Sequence, residues 1–374
     1  MKVCFWGDNA SALEGNPAGG GELQMALLAK TLVKSGHKVV FLDYNISEYF
    51  VTSEGIEVQC IKGYNDGIRF LRAFRRLKLI YQVLKNQKAD VYYCRIRDFR
   101  HILSYWASRK VKAKFILALA SDLDVKDTRT RLKYLYFAET PGVWWLFNGL
   151  LSEIVYSWLL RNSDLVLVQH EGQKGSLRQK GIPSTILHNL IEMNNVPVLK
   201  EGKGNDFCYV GSLDRRKGFV DFFNLVMASQ SYNFKIIGSP RDKTGEKYLN
   251  KLKMLKNATL LGRLNHSDTL SQIADSRALI STSPLEGFPN IFIEAWACGI
   301  PVLSLYVDPG SVIEREGLGF VAKGDIKRLS SAMTEIRITP EMETRMKTYV
   351  MHNHVLNEAR LTEINKVFCD LVED

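Results

Sequence analysis

The sequence predicts an α/β protein made of two doubly wound, Rossmann-like domains. Three observations carry that expectation. Short apolar, strand-like runs alternate with helical patterns along nearly the whole chain, which argues for parallel sheets covered by helices on both faces. The alternation comes as two successive series of about 170 residues, each the size of one domain. Between them, residues 189–204 concentrate Asn, Pro, Lys and Gly, the composition of a join.

In the first series, strands are predicted at 2–6, 39–42, 91–94, 115–118, 165–169 and 185–187, with a helix at 21–35 behind a glycine-rich loop. In the second they fall at 206–210, 234–237, 258–261, 278–282 and 301–305. A helical tail at 355–372 closes the chain. The expected domains are therefore residues 1–190 and 191–354, followed by the tail.

A chain of 374 residues with 46% hydrophobic and 24% charged content is an ordinary globular protein of about two domains. Its net charge of +10 gives a basic surface, suited to phosphorylated ligands, an anionic membrane face or nucleic acid. Nucleic acid is the weakest of the three, because no RNA-recognition signature or aromatic–basic interleaving is present. The six cysteines are scattered without metal spacing and read as reduced thiols of a reducing compartment. The opening Met1-Lys2-Val3-Cys4-Phe5-Trp6-Gly7 is too short for a signal peptide. The most apolar window, 141–160, is interrupted by Asn148, Ser152 and Glu153, which argues against a spanning helix.

The most informative stretch is 283–304. It sets Glu286 and Glu294 eight positions apart around a loop-to-helix junction. Gly287 and Pro289 break regular structure, and Phe288, preceding a proline, is pushed to extended geometry. Ile291, Phe292, Ala295 and Trp296 recur at helical spacing from Asn290 onward, Gly299 suits the position after the helix, and Pro301 stops it. The helix start offers backbone N–H groups and a positive dipole end to whatever the loop surrounds. Glu294, one turn in, can accept hydrogen bonds from sugar hydroxyls.

Other loops follow strand ends in the same way. Gly211-Ser212-Leu213-Asp214-Arg215-Arg216-Lys217-Gly218 puts cations at a loop tip, where they can clamp a diphosphate. Gly238, Gly262 and Arg263 follow two further strands of the second series. Asn16-Pro17-Ala18-Gly19-Gly20-Gly21 precedes the first long helix, and its spacing is not the dinucleotide fingerprint. Asp122 and Asp124 follow the strand at 115–118, and His170 and His188 read as loop histidines. At 68–88 a basic amphipathic helix is expected. Phe70, Phe74, Leu77, Tyr81 and Leu84 share one face, Arg69, Arg72, Arg75 and Arg76 the other, and Leu79 points outward among the arginines, a pattern suited to anionic headgroups.

Residues 211–218 and 283–319, the latter including Val307-Asp308-Pro309-Gly310 and Gly317-Leu318-Gly319, resemble the retaining glycosyltransferases of family 4. In that family a Glu, seven arbitrary residues and a second Glu face a nucleoside diphosphate sugar. The resemblance is looser before residue 200. It implies the GT-B fold, with two domains facing across a cleft and the last helix returning to the first. It also implies a metal-independent enzyme without cofactor. The enzyme would move a sugar, with retention, to a hydroxyl of a saccharide or polyprenyl-linked saccharide, as in bacterial surface polysaccharide synthesis. The nucleotide sugar is a substrate, a UDP-sugar in first place and a GDP-sugar in second.

By the same resemblance Glu294 binds the ribose and Glu286 the donor sugar. In the donor-binding run Gly287-Phe288-Pro289-Asn290, backbone N–H groups near Phe288 and Asn290 hold sugar and phosphate. Lys217 and Arg216, with Arg215 as alternate, stabilise the leaving diphosphate. Gly238, Gly262 and Arg263 surround the base, and Gly20 and Gly21 border the diphosphate. Many members carry a His in the first domain that contacts the sugar. No His stands near 118–124 here, and Asp122 is the expected substitute. Asp122-x-Asp124 also resembles the metal-binding pair of the other glycosyltransferase fold, a short match common by chance. The rival readings are a nucleotide-sugar epimerase of the same fold and, more remotely, a nucleic-acid-binding protein. The expected location is cytoplasmic, peripheral at the inner membrane face.

Overall fold

The computed structural model describes residues 1–7, 10–14, 19–44, 46, 48–66, 72–138, 143–193 and 204–373, with side chains outside 135–138 and 143–146. Asn16-Pro17-Ala18, Arg69, Phe70 and the centre of the expected join lie outside the described residues. The chain divides into two compact units, Met1–Leu190 with Leu356–Asp374, and Ile191–Val355.

The first unit is an eight-stranded sheet. Its strands are β1 (Lys2–Trp6), β2 (Lys38–Asp43), β3 (Phe50–Val51), β4 (Glu57–Cys60), β5 (Val91–Arg95), β6 (Lys114–Ala118), β7 (Leu165–Val168) and β8 (Thr185–Ile186). Their order is β3-β4-β2-β1-β5-β6-β7-β8, and every pair is parallel except β3 with β4. Alternate residues of each central strand point to opposite faces, as the period of two requires. Val3 and Phe5 join Val91 and Tyr93 in one core, whereas Cys4 and Trp6 join Tyr92 and Cys94 in the other. Burial on both faces is what makes these strands read as continuous apolar runs.

The second unit carries β9 (Phe207–Val210), β10 (Phe234–Ile237), β11 (Ala258–Gly262), β12 (Ala278–Ser281), β13 (Val302–Ser304) and β14 (Gly319–Val321). Their order is β11-β10-β9-β12-β13-β14, all parallel. Cys208, Leu279 and Val302 face one core, and Phe207, Ile280 and Leu303 the other.

β3, β4 and β14 have no counterpart in the sequence reading. Each is two to four residues long, below the length at which periodicity registers. The tail also differs from expectation: its helix spans Glu358–Glu373. The Asn357 side chain accepts from the Arg360 N–H at 2.9 Å and so caps the helix there. Val355, expected inside that helix, forms a bridge with Ile191 in the second unit instead. The tail helix buries Ile364 and Phe368 in the first unit beside Met25, Leu28 and Leu32 of the helix Gly20–Lys34. Each such large apolar side chain contributes about 1.5–3 kcal/mol when fully buried.

Candidate active site

In an open parallel sheet, ligands bind beyond the carboxyl ends of the strands, where strand order reverses direction. The second unit reverses between β9 and β12, which are neighbours although β10 and β11 intervene in sequence. The loops leaving those two strands are the Arg-Arg-Lys turn and the Glu286 loop.

Their meeting is built from backbone constraints. Asp214 starts the turn Arg215–Lys217, its carboxylate accepting from the Lys217 N–H at 2.9 Å. Gly218 ends the turn in the left-handed region, φ 65°. A Cβ there would lie 1.9 Å from the Thr282 carbonyl oxygen, so only glycine lets the turn sit against the end of β12. The Thr282 hydroxyl then donates to the Lys217 carbonyl at 3.2 Å. The outcome is an ion pair between Lys217 Nζ and Glu286 Oε1. Arg216 is mostly exposed, and Nη2 lies 3.5 Å from the buried carboxylate of Asp214.

The helix behind Glu286 runs Asn290–Ala297, with Pro289 in the flanking N-cap position (φ −64°, ψ 124°). Phe288 is 3% exposed, its ring against Trp296 and His354, so this side chain anchors the loop. Trp296 donates from Nε1 to the Leu318 carbonyl at 3.0 Å. Gly299, φ 62°, closes the helix, and Ile300 N–H returns to the Ala295 carbonyl at 2.8 Å. Glu294 projects one turn in, where its Oε1 accepts from His266 Nε2 at 3.2 Å. That hydrogen bond holds the His266 imidazole above its ordinary 6.5. His266 opens the helix His266–Ala274, just after Gly262 and Arg263, and sequence reasoning missed it. Its signal was position alone, since it sits three residues past the exposed Arg263. Gly238 links the neighbouring strand ends, its N–H donating to the Gly262 carbonyl at 2.8 Å.

In the first unit the order reverses between β1 and β5. Gly20 and Gly21 open the first long helix after β1, Gly20–Lys34, and the nearest atom to a Cβ at Gly21 would be Ile96 Cδ1 at 4.0 Å. Ile96, directly after β5, holds φ 80°, a strained conformation for a β-branched residue that costs of order 1–3 kcal/mol. Strain of this kind clusters at functional loops.

Asp122 does not stand alone. Its Oδ1 accepts from His170 Nε2 at 2.8 Å and from Gln173 Nε2 at 3.0 Å. His170 lies in the loop after β7, as expected, at the N-cap position of the helix Glu171–Arg178, but its side chain is only 5% exposed. The structure therefore sets a histidine from a later loop directly beside Asp122. β6 and β7 are sheet neighbours, which brings their end loops together; a strand list without sheet order cannot show this. Asp124 has a different role from Asp122. Its Oδ2 accepts from Ala120 and Ser121 N–H, each at 2.8 Å, and Arg97 Nε lies 3.2 Å from Oδ1. Burial raises its carboxyl pKa despite these partners. The two aspartates are thus committed to separate networks rather than aimed at one ligand. Among the described residues no group of three His, Cys, Asp or Glu side chains converges.

A cavity of about 610 Å³ opens beside Ile96 and is lined by Tyr64, Arg97, Arg100, Asp124, Ser152 and Glu153, among others. Its wall is a buried ion network. Glu153 binds Arg97 Nη1 and Arg131 Nε, each at 2.5 Å, with Glu153 and Arg131 almost wholly buried. Arg100 grips Asp98 and donates to the Tyr64 hydroxyl at 3.1 Å. These arginines were absent from the sequence reading because no local spacing marks them.

The helix expected at 68–88 is described over Arg72–Asn86, and its faces differ from the sequence reading. Ile80 and Leu84 are its buried residues, Leu79 packs against the core instead of pointing outward, and Phe74 is 73% exposed. Arg76 is drawn onto Tyr64, donating from Nε to its carbonyl at 3.0 Å. In the window 141–160 the structure forms one helix, Val143–Asn162. No helix among the described residues is long and apolar enough to cross a membrane.

Comparison with known proteins agrees with this layout. Residues 192–352 match the family model "Glycosyl transferases group 1". The second unit therefore carries a group 1 glycosyltransferase domain. An uncharacterized glycosyltransferase of Methanocaldococcus jannaschii is 26% identical over 164 residues, 43% of this chain and 46% of that protein. The match thus spans about half the length of that curated relative. The whole chain superimposes on sucrose-phosphate synthase from Thermosynechococcus elongatus, with TM-score 0.75 and 15% identity, covering 100% of this chain and 99% of that one. WaaG, a glycosyltransferase involved in lipopolysaccharide biosynthesis, gives TM-score 0.67 at 14% identity over 98% and 99%. Anabaena HepE in complex with UDP gives 0.66 at 12% over the full length of both. The fold is GT-B.

Proposed function

We propose that this chain is a retaining, metal-independent glycosyltransferase that moves a sugar from a nucleoside diphosphate sugar to a hydroxyl of a saccharide or lipid-linked saccharide. The observation that carries this reading is the Lys217–Glu286 pair at the strand-order reversal of a group 1 domain. A diphosphate placed there competes with Glu286 for the ammonium, and the freed carboxylate accepts from donor sugar hydroxyls. Lys217 and the exposed Arg216 then stabilise charge that grows on the leaving diphosphate. Glu294, with His266 behind it, accepts from the ribose. The leaving phosphate takes the acceptor proton on the face it departs from, which retains the anomeric configuration. Asp122 and His170 are the first unit's polar contribution. A UDP-sugar is the first choice of donor, a GDP-sugar the second. The proposed location is cytoplasmic, at the inner membrane face, in surface polysaccharide assembly.

The test is a panel of nucleotide sugars read by thermal shift and slow hydrolysis, in the presence of a chelator. One donor should raise the melting temperature and release its nucleoside diphosphate with the anomer retained. Interconversion of sugars without an acceptor would favour an epimerase, and no shift with any nucleotide would sink both readings.

A further inference from the structure

The helix Val143–Asn162 has two distinct faces. Asn148, Gly149, Ser152 and Glu153 line the cavity beside Ile96. Phe147 (56% exposed), Leu150 (48%), Ile154 (61%) and Trp158 (42%) are open to solvent. At 100° per residue these four fall within about 80° of the helix circumference, and the cavity residues are centred on the opposite side. Four large apolar residues in one exposed stripe are not the scattered surface apolar residues found on any protein. Trp158 also stacks edge-on against Tyr105 at 4.8 Å, and the next residue, Trp106, is 52% exposed. The apolar surface thus continues onto the helix His101–Val111.

The charge around this surface is one-sided. Lys110, Lys112, Lys126, Arg129, Lys133 and Arg161 are exposed. Asp127 is the single exposed acid among the described residues of 101–162. A second copy of the chain laid face to face on the stripe would set these cations against cations. An anionic lipid surface complements them, and tryptophan rings suit the headgroup boundary.

We propose that this stripe, and not the helix Arg72–Asn86, docks the chain on an anionic bilayer, with the helix lying in the interface plane. The cavity on its other face then stands about one helix diameter, ~10 Å, above the lipid, within reach of a short saccharide anchored in that membrane. The inference stands apart from the donor reading: binding to vesicles without sugar transfer keeps this one and removes that one.

The experiment is co-sedimentation of the full chain with phosphatidylcholine vesicles, with and without phosphatidylglycerol. The wild type should bind the anionic vesicles, less so at high salt, and bind pure phosphatidylcholine weakly. Ile154→Glu should lower the partition coefficient at least about tenfold, Ile154→Leu should preserve it, and Phe74→Ser should leave it unchanged. All three substituted positions are exposed, so the variants should fold, which circular dichroism checks. Brominated lipid should quench wild-type tryptophan fluorescence, and Trp158→Phe should lose part of that quenching. Equal binding by wild type and Ile154→Glu, loss of binding in Phe74→Ser, or a wild-type dimer that Ile154→Glu dissolves without any vesicle binding would each overturn the proposal.

Discussion

Both units reverse strand order beside their first strand, yet they use that position differently. At β9/β12 the loops are short, locked backbone to backbone, and present a charge pair partly open to solvent. At β1/β5 the charges are mostly buried: Arg97, Arg131, Asp124 and Glu153 neutralise one another behind a polar cavity wall. The first arrangement suits the diphosphate proposed as its ligand. The second shapes a cavity, and its ions stabilise the wall more than they recognise charge. Substitutions in the buried ion network of the first unit should therefore show as stability, and those in the Lys217–Glu286 pair of the second as activity.

The largest expected effect tests that division. Glu153→Ala leaves Arg131 buried without its carboxylate and should cost about 3–5 kcal/mol, read as a lower urea midpoint. A loss below about 1 kcal/mol would mean that water already reaches the network. Next is Gly218→Ala, where strain at φ 65° and the contact with Thr282 should cost roughly 1–3 kcal/mol. Its activity should fall further than its stability accounts for, because Lys217 is displaced. Third, Lys217→Ala and Glu286→Gln should each lower transfer at least about tenfold, roughly 1.4 kcal/mol. Because the two side chains touch, the double variant should lose less than the sum. Folded variants with undiminished transfer would remove this pair from the site.

The smallest effect is a titration. His266 has its proton held by Glu294, so its folded pKa lies above the unfolded 6.5. The stabilisation is complete below about 6.5 and is lost as pH rises through the raised folded value. By NMR, His266 should titrate above 6.5 in the wild type and move down toward it in Glu294→Gln. Unchanged titration in that variant would break the link. Nucleotide binding that engages Glu294 should likewise change the His266 titration.

Much of the second unit was legible in residue order. Gly287, Pro289, Gly299 and Pro301 bracket a helix by local backbone rules, and the helix forms at Asn290–Ala297. The first unit was less legible. Leu79 was assigned outward by a helical wheel, which gives relative faces but not which neighbours cover them. His170 was read correctly as a loop residue, but its meeting with Asp122 was not foreseen because sequence does not reveal that β6 and β7 lie side by side.

The sequence by itself determined the alternation of strands and helices, the two-domain division and the loops that bear the charged motifs, because these depend on spacing of two or 3.6 residues and on glycine and proline geometry. Tertiary structure alone decided which loops meet: Lys217 with Glu286 across 69 positions, His170 with Asp122 across 48, and Arg97 with Glu153 across 56. Those meetings follow from sheet order, which long-range burial selects and no local pattern encodes.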